Sequence, residues 1–219
     1  MDEVFARFLE KNGPIMTRRE VPPPSIERYK GKLPSLLLSY WKEHGWCGVG
    51  EGILWLVNPQ EYEAVVASWI ENTALEALDT FHLVARSAFG DLYLFGEKTG
   101  FSLSIDAPVS RYSISNQNIS PPDTDREVQN FLLTFEKDYN DFDDLFDPSQ
   151  KKLGTLRDDE MYGFVPALSF GGQADLQYIE KVKTVEHLTL LSQITELEPY
   201  TMSDPRKNRT FTAFSPPSC

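Results

Sequence analysis

A chain of 219 residues that is 41% hydrophobic and 12% aromatic can bury a core as one compact unit or two small fused ones, which excludes a disordered tract. Its 33 acidic residues outnumber 21 basic ones, for a net charge of −12, which argues against nucleic acid as a partner, because phosphate binding needs cations. The expected partner is basic, or at least not anionic. Cys47 and Cys219 form no disulfide framework, the N-terminal MDEVFARFLEKNG lacks the pattern of a signal peptide, and no apolar run approaches the ~20 residues of a membrane helix. These features together read as a cytoplasmic protein without a membrane partner.

Val4, Phe5, Phe8 and Leu9 recur at helical spacing until Gly13-Pro14 stops them. Pro22-Pro23-Pro24 predicts an extended segment. Pro34 then opens a helix with Leu37, Tyr40 and Trp41 inward, ending at Gly45, and glycines 45, 48, 50 and 52 suggest a flexible turn. Residues 53–57 are apolar without alternation, as in a central strand. Asn58-Pro59-Gln60-Glu61 starts a helix whose stripe is Tyr62, Val65, Val66 and Trp69.

From 81 to 114 the period becomes that of strands, at 81–86, 91–95, 101–105 and 111–114, an antiparallel meander with turns at Gly90 and 96–100. Phe101, Leu103 and Ile105 alternate with Ser102 and Ser104, which predicts a strand near a sheet edge with one wet face. Ser120-Pro121-Pro122 reads as a linker, and Val128, Phe131, Leu132 and Phe135 as a helix after it. Residues 158–172 run from an acidic turn into a strand-like segment. Leu176, Ile179 and Val182 fit one helix, Leu188, Leu191 and Ile194 another with Thr184 as its cap, and a frayed tail is expected from Pro199. The fold class is α+β, a mostly antiparallel sheet (the 81–114 meander plus strand 53–57) packed with several helices.

Few residues group for chemistry. His44, His82 and His187 lie far apart, and only His44 has a neighbouring ligand type, Cys47, short of a zinc set. A thiol nucleophile at Cys47 lacks a visible base and orienting group. Gly96-Glu97-Lys98-Thr99-Gly100 joins two strands instead of opening a helix and reads as a hairpin turn, not a phosphate loop. No cofactor and no metal is expected. The run from Glu136 to Asp147 holds Asp138, Asp141, Asp143, Asp144 and Asp147 against Lys137 alone, with Tyr139, Phe142, Leu145 and Phe146 interleaved. It contains no glycine for a calcium loop. It reads as a solvated surface or as a docking face for a basic partner, and its aromatics as core residues or interface anchors.

LPSLLLSYWKEHGWCGVGEGILWLVNPQEYEAVVASW with FGDLYLFGEKTG resembles the GAD-like domain, and DDEMYGFVPALSFGG followed by VKTVEHLTLLSQI resembles the C-terminal domain of type VI secretion DNase immunity proteins. The likeness covers about residues 1–197. It implies a GAD-like domain at 1–118, a C-terminal domain at 119–198 packed on the first, and a tail at 199–219. The fold implied is similar to the broader Smi1/Knr4-like immunity fold. The function implied is that of a cytosolic, non-enzymatic antitoxin that binds a cognate toxin, a nuclease, and shields the producer's DNA. A nuclease site attracts phosphate, so carboxylates can act as decoys there. The expected partner-binding residues are Asp138, Asp141, Asp143, Asp144 and Asp147, then Asp158, Asp159 and Glu160, with Tyr139 and Phe142 as anchors. An orphan regulatory or scaffold module is the alternative, and a small hydrolase using Cys47 and His44 a third.

Overall fold

The computed structural model describes residues 2–115 and 123–201. In chain order the elements are α1 (Glu3–Asn12), β1 (Ile15–Arg19), α2 (Pro23–Tyr29), α3 (Ser35–His44), β2 (Trp46–Val49), β3 (Leu54–Leu56), α4 (Glu63–Ile70), β4 (Phe81–Ser87), β5 (Asp91–Gly96), β6 (Gly100–Asp106) and β7 (Arg111–Ile114). Then come α5 (Thr124–Thr134), α6 (Lys137–Asn140), α7 (Phe146–Leu153), β8 (Glu160–Phe164), β9 (Ile179–Lys183), α8 (Thr184–Ile194) and β10 (Glu198–Pro199). The architecture is α+β. One sheet has the order β1-β2-β3-β4-β5-β6-β7-β10, and β8 and β9 form a second, two-stranded one. Neighbours from β1 to β7 are antiparallel; the short connections β2–β3, β4–β5, β5–β6 and β6–β7 require it, while α2 and α3 bridge β1 to β2 and α4 bridges β3 to β4. Among the described strands, only β10 enters parallel, on β7.

The local chemistry of several elements follows the sequence. The Asn58 carboxamide accepts from the Gln60 N–H at 3.2 Å and starts a 3-10 turn, 59–62, that feeds α4. Val65, Val66 and Trp69 are its buried stripe. The 81–114 meander appears as β4 to β7, and Gly90 at the β4–β5 turn has φ 98°. A side chain there would place its Cβ 2.7 Å from Met161 Cε, so the turn needs glycine for both its backbone and its neighbour.

Other expectations are corrected. Pro23 and Pro24 open α2, where their missing N–H groups cost nothing, instead of extending the chain. The glycine-rich 45–52 stretch contains β2, paired with β1 and β3. Gly48 is a strand residue because the Trp55 ring fills its side-chain space, 3.1 Å from where a Cβ would lie. β6 is interior, and Ser102 and Ser104 are buried, because Phe131 of α5 stacks on Phe101 at 4.9 Å. Residues 176–178 form a 3-10 turn and Ile179 and Val182 belong to strand β9, not to a helix. Lys183, not Thr184, takes the cap position of α8, and no side chain bonds there. At the start of the expected tail, β10 pairs with β7 and the Tyr200 hydroxyl bonds Asp106. The expected linker 120–122 and the tail beyond 201 lie outside the described residues.

The C-terminal half is fastened to the sheet at several points. α3 begins after Pro34, which offers no capping side chain; the Asp125 carboxylate of α5 accepts the Leu36 N–H at 2.8 Å instead. Glu127 of the same helix accepts the Phe101 N–H at 3.0 Å. Phe8 of α1 packs on Phe135, and Lys11 pairs with Glu136 at 2.8 Å. At the β4–β5 turn, Phe89 packs on Phe142, Tyr162 and Phe164, and the Tyr162 N–H donates to the Ala88 carbonyl.

Candidate partner-binding site

The acidic run leaves α5 as α6, turns, and continues as α7. Asn140 fixes its path: buried, it donates to the Glu136 carbonyl at 2.8 Å and accepts from the Tyr93 hydroxyl of β5. Phe142, Asp143 and Asp144 then lie consecutively in the left-handed region, with φ of 57°, 61° and 64°. Such residues cost about 1–2 kcal/mol each, and burial of one side chain offsets the cost. Phe142 is 3% exposed and packs on Phe89 and Phe164 at 5.5 and 4.7 Å. The clamped turn presents Asp143 and Asp144 to solvent.

The sequence-predicted residues therefore separate. Asp138, Tyr139, Asp143, Asp144 and Asp147 are exposed. Phe142, expected as an interface anchor, is a core residue, because the strained turn drives its ring under Phe89. Asp141 is likewise buried, and its backbone carbonyl accepts the N–H groups of Leu145 and Phe146. Asp147 pairs with Lys137 at 2.5 Å, and that ammonium also lies over the Phe146 ring. The second acidic group is more heavily engaged. Asp158 lies 3.7 Å from Arg19, Asp159 pairs with Lys183, and Glu160 lies 3.4 Å from Lys181 while accepting the Arg157 N–H. The Lys183 hydrogen bond holds the Asp159 carboxyl below its ordinary range.

Composition and spacing gave no warning of Arg86. Fully buried on β4, it lies over the Trp55 ring at 5.1 Å and has only neutral hydrogen-bond acceptors. These are the Tyr62 hydroxyl, the Ser87 carbonyl, and the Asp158 and Glu160 carbonyls, the last two at 2.9 Å. The guanidinium thus draws the backbone of the 158–160 turn onto the sheet, while the turn's carboxylates pair with Arg19, Lys183 and Lys181. An unbroken strand pattern conceals such a residue, because nothing in 81–87 distinguishes an inward arginine from an outward one.

The other chemical candidates do not assemble. His44 stacks on Phe5 at 4.0 Å, and burial lowers its pKa. Burial pushes the Cys47 thiol up to about 12, so at neutral pH it is not the thiolate that nucleophilic attack needs. In the 96–100 hairpin turn the N–H groups of Lys98 and Thr99 already donate to the buried Asp79 carboxylate, at 2.9 and 2.7 Å. That carboxylate occupies the place a phosphate would take. Among the described residues no group of three or more His, Cys, Asp or Glu is placed to hold a metal, and no helix is long and apolar enough to cross a membrane.

Two family models match the chain. Residues 3–109 match the GAD-like domain, and residues 125–195 match the C-terminal domain of the type VI secretion immunity protein Tdi1. No curated protein matches the chain in sequence. Among solved structures, the crystal structure of Atu4351 from Agrobacterium tumefaciens is similar with a TM-score of 0.80 at 20% identity, covering 94% of each chain. At that identity the likeness is one of fold.

Proposed function

We propose that this protein is a type VI secretion immunity protein that binds a toxin effector, a DNase, and neutralises it without chemistry of its own. The observation that carries the reading is the match of residues 125–195 to an immunity-protein domain, joined to a GAD-like match over 3–109. The net charge of −12 supports a basic partner: long-range attraction raises the association rate with a cationic, DNA-binding surface and competes with DNA for the same cations. In this reading the toxin meets the protein in the cytoplasm.

The contact surface we propose is the acidic run, with Asp138, Asp143 and Asp144 facing the partner from the Phe142-clamped turn and Tyr139 as its aromatic contact. Asp147 and the 158–160 carboxylates, paired within the chain, add field at its margin. Phe142 and Asp141 act by shaping the turn. The test is plasmid cleavage by the nuclease encoded beside the gene, with purified protein added. One equivalent of wild type stops cleavage, while Asp138→Asn/Asp143→Asn/Asp144→Asn slows association at least tenfold, most at low salt. Unchanged inhibition by that variant rejects the proposed surface, and failure of the wild type to inhibit rejects the DNase reading.

A further inference from the structure

A second surface lies away from the acidic run. Helices α4 and α8 pack side by side, with the Ser68 and Ser192 hydroxyls meeting at 2.5 Å. Past that contact their C-terminal ends border an open cleft of about 610 Å³. Among the described residues its lining includes Trp69, Glu71, Ile194 and Glu196, and no lysine, arginine or histidine. None of the lining residues belongs to 136–160.

Three features describe what would fill it. Each helix carries partial negative charge at its C-terminal end, and Glu71 and Glu196, both exposed, add two carboxylates. Such a cleft favours a cation. Trp69, in the wall of the cleft, is 2% exposed and its indole N–H has no hydrogen-bond partner, an unsatisfied donor that marks this wall as incomplete. Along α8, Leu190 and Ile194 stand one turn apart, 51% and 37% exposed, forming an apolar strip that runs to the cleft.

We propose that the cleft docks a short polypeptide segment of the partner protein in which lysine or arginine alternates with apolar residues. The cation sits between Glu71, Glu196 and the two helix ends, an apolar side chain covers Leu190 and Ile194, and Trp69, in the wall of the cleft, reports its occupancy. This deepens the reading of the chain as a protein-binding module, while its test does not need the toxin.

The full chain, labelled uniformly with nitrogen-15, is titrated with an acetylated, amidated pentapeptide alternating leucine and arginine, and with the same peptide carrying glutamate for arginine. The Trp69 indole resonance is assigned by its loss in Trp69→Phe. The expected result is a saturable shift of that resonance with the arginine peptide, none with the glutamate peptide, and at least tenfold weaker binding in Glu71→Gln/Glu196→Gln. Both glutamates are exposed, so the variant keeps its fold, which the unchanged remainder of the spectrum verifies. An unmoved Trp69 resonance, equal binding by the double variant, or shifts confined to residues 138–144 would overturn the proposal. The plasmid-cleavage assay fails or succeeds independently of this result.

Discussion

Replacing Arg86 by alanine removes a guanidinium that is wholly buried and lies over Trp55, and leaves the Asp158 and Glu160 carbonyls, both 2.9 Å from the same nitrogen, without their donor. Charge-assisted hydrogen bonds of this kind contribute about 1.5–3 kcal/mol each. A desolvated cation over an aromatic ring adds about 2 kcal/mol. The cost of burying the charge offsets part of that sum, because the arginine's acceptors are neutral. The net loss expected for Arg86→Ala is about 3–5 kcal/mol, a large fraction of the roughly 5–15 kcal/mol that holds a domain together. Arg86→Lys keeps the charge but loses the planar fork that reaches several acceptors at once, and costs about half as much. Urea unfolding followed by tryptophan fluorescence measures both, and hydrogen exchange shows whether protection at residues 158–162 falls first. An Arg86→Ala protein within about 1 kcal/mol of wild type, with the 158–162 amides still protected, would refute the role assigned to this side chain.

Phe142→Ala empties a packed site beneath Phe89 and should cost about 3–5 kcal/mol, whereas Tyr139→Ala, at an exposed position, should change stability by less than about 0.5 kcal/mol while weakening toxin binding; unfolding and binding measured side by side separate the two roles. Cys47, its thiol pushed up to about 12 by burial, should resist alkylation at pH 8 in the native state and react in urea, read by mass spectrometry of the peptide containing it. Burial lowers the pKa of His187, so the unfolded chain takes up a proton there before the folded one does. The stability this contributes is complete above the ordinary histidine value of about 6.5 and falls as pH drops below it. The unfolding midpoint should therefore fall between pH 7.5 and 5.5, and His187→Gln should flatten that dependence; an equally steep profile in the variant would assign the effect elsewhere.

The meander, the Asn58-Pro59 helix start, α5 and α8 with its buried Leu188 and Leu191 were legible because each rests on local chemistry, a capping side chain, a period or a turn glycine, although Ile194, read on the same stripe, is exposed. What the sequence concealed depended on distant neighbours. Gly48 reads as a turn residue until Trp55 is placed against it. Ser102 and Ser104 read as a wet face until α5 covers the sheet. Ile179 and Val182 suit either period when only two apolar residues are available, and the two prolines of α2 are compatible with an extended segment or a first helical turn. The acidic run shows the same division at the candidate site. Its charge was plain, but separating exposed Asp143 and Asp144 from buried Asp141 and Phe142 required three consecutive left-handed residues, a conformation that spacing does not announce.

Co-expression of the chain with the toxin encoded beside its gene, reading cell survival together with co-purification, tests whether the protein protects by binding. Survival with a stable complex of the two chains is the predicted result. Cell death despite soluble, folded protein, with no complex recovered, would contradict it.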